Sequence, residues 1–344
     1  MRLKILVAYD DPGGGLAVSS VVRRIAETRE ADLAVYSGKP SLKFLKGTDL
    51  KINELKSDLT FEEASAIIDR EVPDILLTAT GGGGAEQQLR NVAYKRNINS
   101  FVVLDFWKHY ARRWMYADYE ISKMKDIIFV MDENVKIEMI SDGFPENQIV
   151  VTGHPYLELL FSEESYVSNS RAGFHSYLFL SQPSDTIGLK DYKKHPVEEI
   201  IKQLKKHSRS TGKNLLLYVK LHPLETISDE LLKIVMECDG IGVRVFVVDA
   251  ENDLNELLKM CNTVIGYNSI ALFEAEARGK RVFSLEVVPM NDSLKIAMEG
   301  AGIEIVKPGK IAERLADKKT SRRTRYQGLY SGATKSCINR IFSA

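Results

Sequence analysis

The sequence predicts an α/β protein made of two doubly wound domains, each built on an open parallel sheet. Three observations carry this reading. Short apolar runs alternate with stretches of helical periodicity along most of the chain, the pattern of consecutive βα units. Many of the runs end in glycine-rich or polar turns, where an open parallel sheet presents its ligand-binding residues. The 344 residues exceed the roughly 100–200 of a usual single domain, so two cores are expected.

In the first domain the run Leu3–Ala8 reads as the opening strand and is followed by a helix expected over Leu16–Arg29. Further strands are expected at Leu33–Tyr36, Ile75–Thr78, Phe101–Leu104, Ile127–Val130 and Ile149–Val151, about six in all. Between the second and third lies a helix over Thr60–Glu71, which Ser57 or Thr60 can cap and Pro73 closes. The acidic and serine-rich stretch from Ser162 to Ser170 has no periodicity and reads as a linker. In the second domain strands are expected at Tyr177–Leu180, Leu215–Leu221, Val243–Val248, Thr263–Ile265, Arg281–Ser284 and Ile303–Val306. Helices over Pro196–Ser208 and Leu254–Met260 fill two of the gaps. The expected organisation is a first domain at 1–155, a linker at 156–173, a second domain at 174–310 and a basic helical tail at 311–344.

Composition narrows the function. Lysine plus arginine and aspartate plus glutamate both number 47, so no global field favours nucleic acid, and no zinc-knuckle spacing or basic region with interleaved aromatics occurs. The three cysteines, Cys238, Cys261 and Cys337, are odd in number and widely spaced, which argues against a disulfide framework and a tetrahedral metal site and fits a reducing cytoplasm. The first apolar run is too short for a signal peptide, and no stretch approaches the roughly 20 apolar residues of a spanning helix. Membrane association is therefore expected to be peripheral at most. Its vehicle would be the basic tail with Lys318-Lys319 and Arg322-Arg323-Thr324-Arg325, which reads either as a solvated helix or as a surface for an anionic lipid.

Three turns stand out in the second domain: Ser181-Gln182-Pro183, Leu221-His222-Pro223 and Gly266-Tyr267-Asn268-Ser269. Each ends an apolar run, so all three are expected at one sheet edge. A histidine titrates near neutrality and can donate a hydrogen bond or proton to a leaving phosphate. Ser269 precedes the helical sequence Ile270–Ala275, so its hydroxyl and the free N–H groups of a helix N-terminus suit a phosphate, although an N-cap alone accounts for the serine. Glu274 stands on that same helix, where the dipole alone favours a carboxylate.

These residues resemble those of the GT-B glycosyltransferases. Among them the bacterial sialyltransferases and polysialyltransferases and the CDP-glycerol glycerophosphotransferases are similar, with strands ending in Gln-Pro and His-Pro and a serine turn opening a helix. The resemblance implies two Rossmann-like domains facing a cleft. It further implies a donor nucleotide held by Gln182, Pro183, His222, Pro223, Gly266, Asn268, Ser269 and Glu274, with CMP-linked acidic sugar as the leading donor and His222 acting on its phosphate. It covers the second domain well and the first only in layout.

The first domain offers Asp10-Asp11-Pro12-Gly13-Gly14-Gly15, Thr80-Gly81-Gly82-Gly83-Gly84-Ala85-Glu86 and Asp105-Phe106-Trp107-Lys108-His109, each directly after a strand. Neither glycine turn is a dinucleotide fingerprint or a Walker loop, so a nicotinamide cofactor is disfavoured. The expected acceptor contacts are Asp10, Gly13, Gly14, Gly82, Glu86, Asp105 and His109. Phe106 and Trp107 serve either as a sugar platform or as core. Inverting transfer needs one base, for which Asp10, Asp11, Glu86, Asp105 and His109 compete, with Asp11 preferred because Pro12 pins it at the strand end. His154 in Gly153-His154-Pro155 is read as an interdomain turn first and a ligand contact second. No metal or other cofactor is expected, because His222, Ser269 and helix N-termini can neutralise phosphate and no Asp-x-Asp motif occurs.

The leading expectation is thus a metal-independent, inverting glycosyltransferase using a nucleotide sugar and a glycan, lipid or protein acceptor. The alternatives are a UDP-GlcNAc 2-epimerase or nucleotide-sugar hydrolase of the same layout, and a non-catalytic nucleotide-sugar-binding protein.

Overall fold

A computed structural model describes residues 2–28, 30–81, 84–162, 175–183, 196–223, 225–238, 240, 242–249, 252–317 and 330–343. The chain forms two compact units, Met1–Glu163 with Gln327–Ala344, and Glu164–Tyr326. The two open parallel sheets of the expected fold are present, with one more strand in the first than the apolar runs suggest.

The first unit runs β1 (Leu3–Tyr9), α1 (Pro12–Thr28), β2 (Ala31–Ser37), β3 (Ile52–Glu54), α2 (Phe61–Glu71), β4 (Ile75–Thr78), α3 (Ala85–Arg96), β5 (Asn99–Val103), β6 (Ile127–Val130), α4 (Glu133–Ser141), β7 (Ile149–Val151) and α5 (Pro155–Ser162). Its sheet order is β3-β2-β1-β4-β5-β6-β7, so the winding reverses between β1 and β4, the position where such sheets bind ligands. Along β1, Ile5, Val7 and Tyr9 pack into the core shared with α1. Leu6 and Ala8 pack into the core shared with α2 and α3, as the period of two requires for a strand covered on both faces.

Two local differences from the sequence reading have plain causes. The first helix begins at Pro12 rather than Leu16, because proline suits the first helical position and Asp11 Oδ1 accepts the N–H of Gly14 at 2.8 Å. The glycines therefore lie in the first turn of α1. An added Cβ on Gly14 would stand 2.5 Å from Ala79 Cβ, and one on Gly15 2.9 Å from Phe44. Glycine here lets α1 approach β4 closely. Thr60 rather than Ser57 caps α2, in a full capping box with Glu63.

The second unit runs β8 (His175–Leu180), α6 (Pro196–Thr211), β9 (Leu215–Lys220), α7 (Asp229–Cys238), β10 (Val243–Val248), α8 (Leu254–Met260), β11 (Thr263–Gly266), α9 (Ile270–Ala277), β12 (Arg281–Leu285), α10 (Asp292–Gly300), β13 (Glu304–Val306) and α11 (Ile311–Ala316). Its order is β10-β9-β8-β11-β12-β13, with the reversal between β8 and β11. Tyr177, Phe179, Leu217, Val219, Ile265 and Phe283 fill one core with Ile200, Ile201 and Leu204 of α6.

The last helix, α12 (Ala333–Phe342), returns to the first unit. Its Cys337, Ile338 and Ile341 lie in the same core as α1, and Glu158 of α5 accepts the N–H groups of Gly332 and Thr334. The lysines and arginines at 318–325 lie outside the described residues, as do Gly82 and 163–174 of the expected linker. Among the described residues no helix is long and apolar enough to cross a membrane.

Candidate functional site

In the first unit, strand register brings three of the singled-out positions into one row. Ala8 pairs with Thr78 and Thr78 with Val102. Three residues beyond this row stand Asp11, Gly81 and Asp105, side by side at the carboxyl ends of β1, β4 and β5. The reversal point of the sheet thus carries a group of acids.

Glu86, in the first turn of α3, joins them from below. Its Oε1 accepts the backbone N–H of Asp10 at 2.9 Å and of Gly81 at 3.2 Å, which ties the turns after β1 and β4 together. The side chain is 1% exposed, and among the described residues its Oε2 has no hydrogen-bond partner. Gly81 is glycine for this reason, since an added Cβ would stand 2.7 Å from Glu86 Oε2. Burial, then the Asp11 charge, push the Glu86 carboxyl up to about 7 against the pull of its backbone partners.

Asp11 is raised to about 6, by burial first and Asp105 second, against the Gly14 N–H and the Arg113 guanidinium. Asp105 is engaged on Oδ1 by the Thr80 hydroxyl at 2.8 Å and by Arg113 Nη1. Arg113 also donates to Thr80 O at 2.9 Å and, through Nε, to Lys108 O at 3.2 Å. Asp10 is buried, accepts the Ser57 hydroxyl on Oδ1 at 3.0 Å and is raised by that burial. Its carbonyl accepts the Ser41 hydroxyl at 3.0 Å. Asp10 is thereby committed to holding the β1 turn, which leaves Asp11 and Asp105 as the acids that flank Gly13. An added Cβ there would stand 2.7 Å from Asp105 Oδ2 and 3.3 Å from Asp11 Oδ1.

The residues after Asp105 divide. Trp107 is fully buried, gives its Nε1–H to Asp132 at 2.8 Å and stacks on His154. Of its two readings, sugar platform or core, Trp107 takes the core role. His109 is exposed, in a left-handed backbone conformation of φ 61°, and burial followed by Lys108, Arg113 and Arg112 lowers its pKa. His154, read as an interdomain turn first, is buried and makes its hydrogen bonds within the first unit. It donates Nε2–H to the Asp105 carbonyl at 3.1 Å while Nδ1 accepts the Leu157 N–H at 3.5 Å. That pair of partners specifies the neutral imidazole, and burial lowers its pKa to about 4. His154 thus props the Asp105 turn.

In the second unit the same register logic holds. Phe179 pairs with Val219 and with Ile265, so three residues on stand Gln182, His222 and Asn268, level with one another past β8, β9 and β11. Glu225 fastens two of these turns, accepting the Ser181 hydroxyl at 2.9 Å and the His222 backbone N–H at 2.8 Å. Gln182 Oε1 is buried and among the described residues has no partner. His222 is partly buried, which lowers its pKa, while the Glu225 charge opposes. Pro223 is exposed beside it and Pro183 follows Gln182.

Ser269 is the N-cap of α9, its hydroxyl accepting the Ala271 N–H at 3.3 Å. Gly266 ends β11 where an added Cβ would come within 3.0 Å of Leu272 and 3.3 Å of Leu180. Glu274 is buried on α9, with Oε2 4.0 Å from Arg278 Nη1. No group of three or more histidine, cysteine or acidic residues among the described residues could hold a metal ion.

Sequence reasoning missed Thr80, Arg113 and Glu225. Thr80 lies inside a turn that glycine dominates, and Arg113 and Glu225 stand eight and three residues beyond Asp105 and His222, outside any motif. A buried acid needs a donor, and that requirement alone marks the search for Arg113.

No protein-family model matches the sequence, and no curated protein matches it either. Solved structures are similar over the whole chain. UDP-GlcNAc 2-epimerase from Methanocaldococcus jannaschii is 14% identical, with 99% of each chain covered and a TM-score of 0.68. The same enzyme from Neisseria meningitidis, bound to UDP-GlcNAc, is 12% identical over 99% of this chain and 100% of that one, at 0.69. MnaA from S. aureus, with UDP, is 14% identical over 100% of this chain and 96% of that one, at 0.69. At these identities the likeness is one of fold, and the fold is the GT-B-like pair of parallel-sheet α/β domains.

Proposed function

We propose that the protein is an enzyme acting on a nucleotide-activated sugar, with UDP as the nucleotide, that takes and returns a proton at a sugar carbon as 2-epimerisation requires. The observation that carries this reading is the acid group of the first unit, in which Asp11 and Glu86 are raised toward neutrality by burial and then by the charge of a neighbouring acid, Asp105 for Asp11 and Asp11 for Glu86. A base works best when its pKa lies close to the working pH. A sugar carbon that bears hydrogen is inverted when that hydrogen leaves as a proton and a proton returns on the other face. Asp11 is the base in this reading. Arg113 and Thr80 orient Asp105, and Glu86 and His154 brace the turns that carry Asp11 and Asp105.

The nucleotide is assigned to the second unit. His222 and the N-terminus of α9 at Ser269 supply the donors for phosphate, and the Gln182 oxygen, without a partner among the described residues, offers an acceptor to the ligand. Choosing UDP over CMP rests on the solved structures of similar fold, which hold UDP or UDP-GlcNAc.

A second reading keeps the same base for glycosyl transfer, where Asp11 would deprotonate an acceptor hydroxyl. It is favoured by the Gln182-Pro183, His222-Pro223 and Asn268-Ser269 turns and their likeness to CMP-sugar transferases. The two separate in one titration series. Calorimetry against UDP, CMP, UDP-GlcNAc and a CMP-linked acidic sugar is expected to give binding to UDP and UDP-GlcNAc, weakened in His222→Ala. Selective binding of CMP ligands would transfer the proposal to the second reading, and binding of none would remove both.

A further inference from the structure

The helix α3 hides a polar face. Glu86, Gln87, Arg90 and Asn91 are each at most 2% exposed, although a surface helix normally turns apolar residues inward. Buried polar groups persist where they are hydrogen-bonded, and beyond the helix itself this face finds partners at the end of β4 and in the connection that follows β5. Asn91 meets the connection by donating from Nδ2 to the Tyr116 carbonyl at 3.0 Å and by accepting the Asp118 N–H at 3.1 Å.

Arg90 reaches both places. Its Nη1 donates to Thr78 Oγ1 at 3.2 Å and to the Ala79 carbonyl at 2.9 Å, and its Nη2 to Gln87 Oε1 at 2.6 Å and to the Arg113 carbonyl at 3.4 Å. The guanidinium lies over the Trp114 ring, 5.2 Å from its centroid, with Nε 3.9 Å from Oδ2 of the buried Asp126. These contacts adjoin the two groups that engage Asp105. Thr80, whose hydroxyl meets Asp105 Oδ1 at 2.8 Å, directly follows Ala79, and Arg113 is held by its backbone while its side chain reaches the same oxygen. A planar fork of donors fixes several acceptors at set angles, which the point charge of a lysine does not.

We propose that Arg90 is a positioning residue: through the Ala79 and Arg113 carbonyls it aims Thr80 and Arg113 at Asp105. That Asp105 and Asp11 serve catalysis rests on the proposed function; the positioning does not. Its consequence reaches Asp11, which is faced by Asp10, Glu86, Asp105 and Arg113 and is held down by the last of these. An Arg113 that is no longer aimed holds Asp11 down less.

The test is a titration of the Asp11 carboxyl by carbon NMR in the whole chain labelled at aspartate, the resonance being assigned by its loss in Asp11→Asn. No substrate is needed. Wild type, Arg90→Lys, Arg113→Met and the double variant are compared once a cooperative urea transition has shown each to be folded. Arg90→Lys keeps the charge and loses the fork, so a direct effect of charge on Asp11 drops out. The expected result is a midpoint moved to higher pH in Arg113→Met, by most of that amount in Arg90→Lys, and no further in the double variant, because residues that act through one another are not additive. An unmoved midpoint in Arg90→Lys, or a double variant in which the two movements add in full, overturns the proposal. So does an Arg113→Met that leaves the midpoint in place, since Arg90 then has nothing to aim. Should Arg90→Lys not fold, Gln87→Met replaces it in the same cycle, because it removes the acceptor that steers Nη2, and the same outcomes decide. If the cycle is found and UDP-sugars are not turned over, the proposed function fails and the positioning stands.

Discussion

Glu86→Gln isolates the cost of the buried carboxyl that ties the β1 and β4 turns. Glutamine keeps an oxygen that can accept the N–H groups of Asp10 and Gly81 but cannot ionise. In the native protein the Glu86 pKa is raised from 4.5 to about 7, so between these values the folded state binds a proton that the unfolded state does not. Stability therefore falls as pH rises through this window. At about 1.4 kcal/mol per pKa unit, the Glu86 contribution amounts to about 3 kcal/mol lost between pH 4.5 and 7. The variant lacks this loss. Relative to wild type, Glu86→Gln is expected to gain stability by up to about 3 kcal/mol on going from pH 5 to pH 8, whatever fixed cost the buried amide imposes at both. Urea unfolding followed by tryptophan fluorescence suits the question, because both tryptophans of the chain, Trp107 and Trp114, lie in the unit that carries Glu86. A difference between variant and wild type that does not change from pH 5 to pH 8 would refute the assignment of a raised, buried Glu86.

The remaining predictions address the props and the base. His154, lowered from 6.5 to about 4, contributes stability that is complete above 6.5 and lost as pH falls toward 4, about 3 kcal/mol; His154→Gln is expected to flatten this acid limb in the same fluorescence assay, and an unaltered limb counts against it. Gly14→Ala places a methyl 2.5 Å from Ala79 Cβ and is expected to destabilise by about 1–3 kcal/mol, read as a lower urea midpoint. Arg113→Met removes a charge that holds the Asp11 pKa down, so the acid limb of kcat/KM is expected to move to higher pH as well as the rate to fall about 100-fold; a fall without that movement would make Arg113 a structural brace only. Asp11→Asn is expected to lower turnover by about 100-fold or more while leaving UDP affinity intact.

Much of the architecture was legible because a strand buried on both faces must be apolar throughout and must stop at a turn. Ile75–Thr78 and Ile127–Val130 were read to the residue for this reason, whereas the edge strand Ile52–Glu54 has three residues and no apolar run. Parallel winding also made it legible that Asp11 and Asp105 in the first unit, and Gln182, His222 and Asn268 in the second, would each lie past the carboxyl ends of their own sheet's strands. What the sequence hid is pairing. Nothing in the spacing tells that Glu86 accepts from Asp10 across 76 residues, that Arg113 rather than solvent meets Asp105, or that Trp107 turns inward onto His154. The glycine turn was read as ending before a helix at Leu16; Pro12 and the Asp11 side chain start the helix inside that turn, and helix packing uses Gly14 and Gly15.

The central claim is that Asp11 moves a proton at a carbon of a UDP-linked sugar. Incubation of the protein with UDP-GlcNAc in D2O, followed by proton NMR, tests it most directly. The account predicts loss of the sugar H2 signal through deuterium uptake with appearance of the 2-epimer, both abolished in Asp11→Asn although UDP still binds. Retention of H2 by wild-type protein that binds UDP-GlcNAc, or exchange that persists in Asp11→Asn, would contradict it.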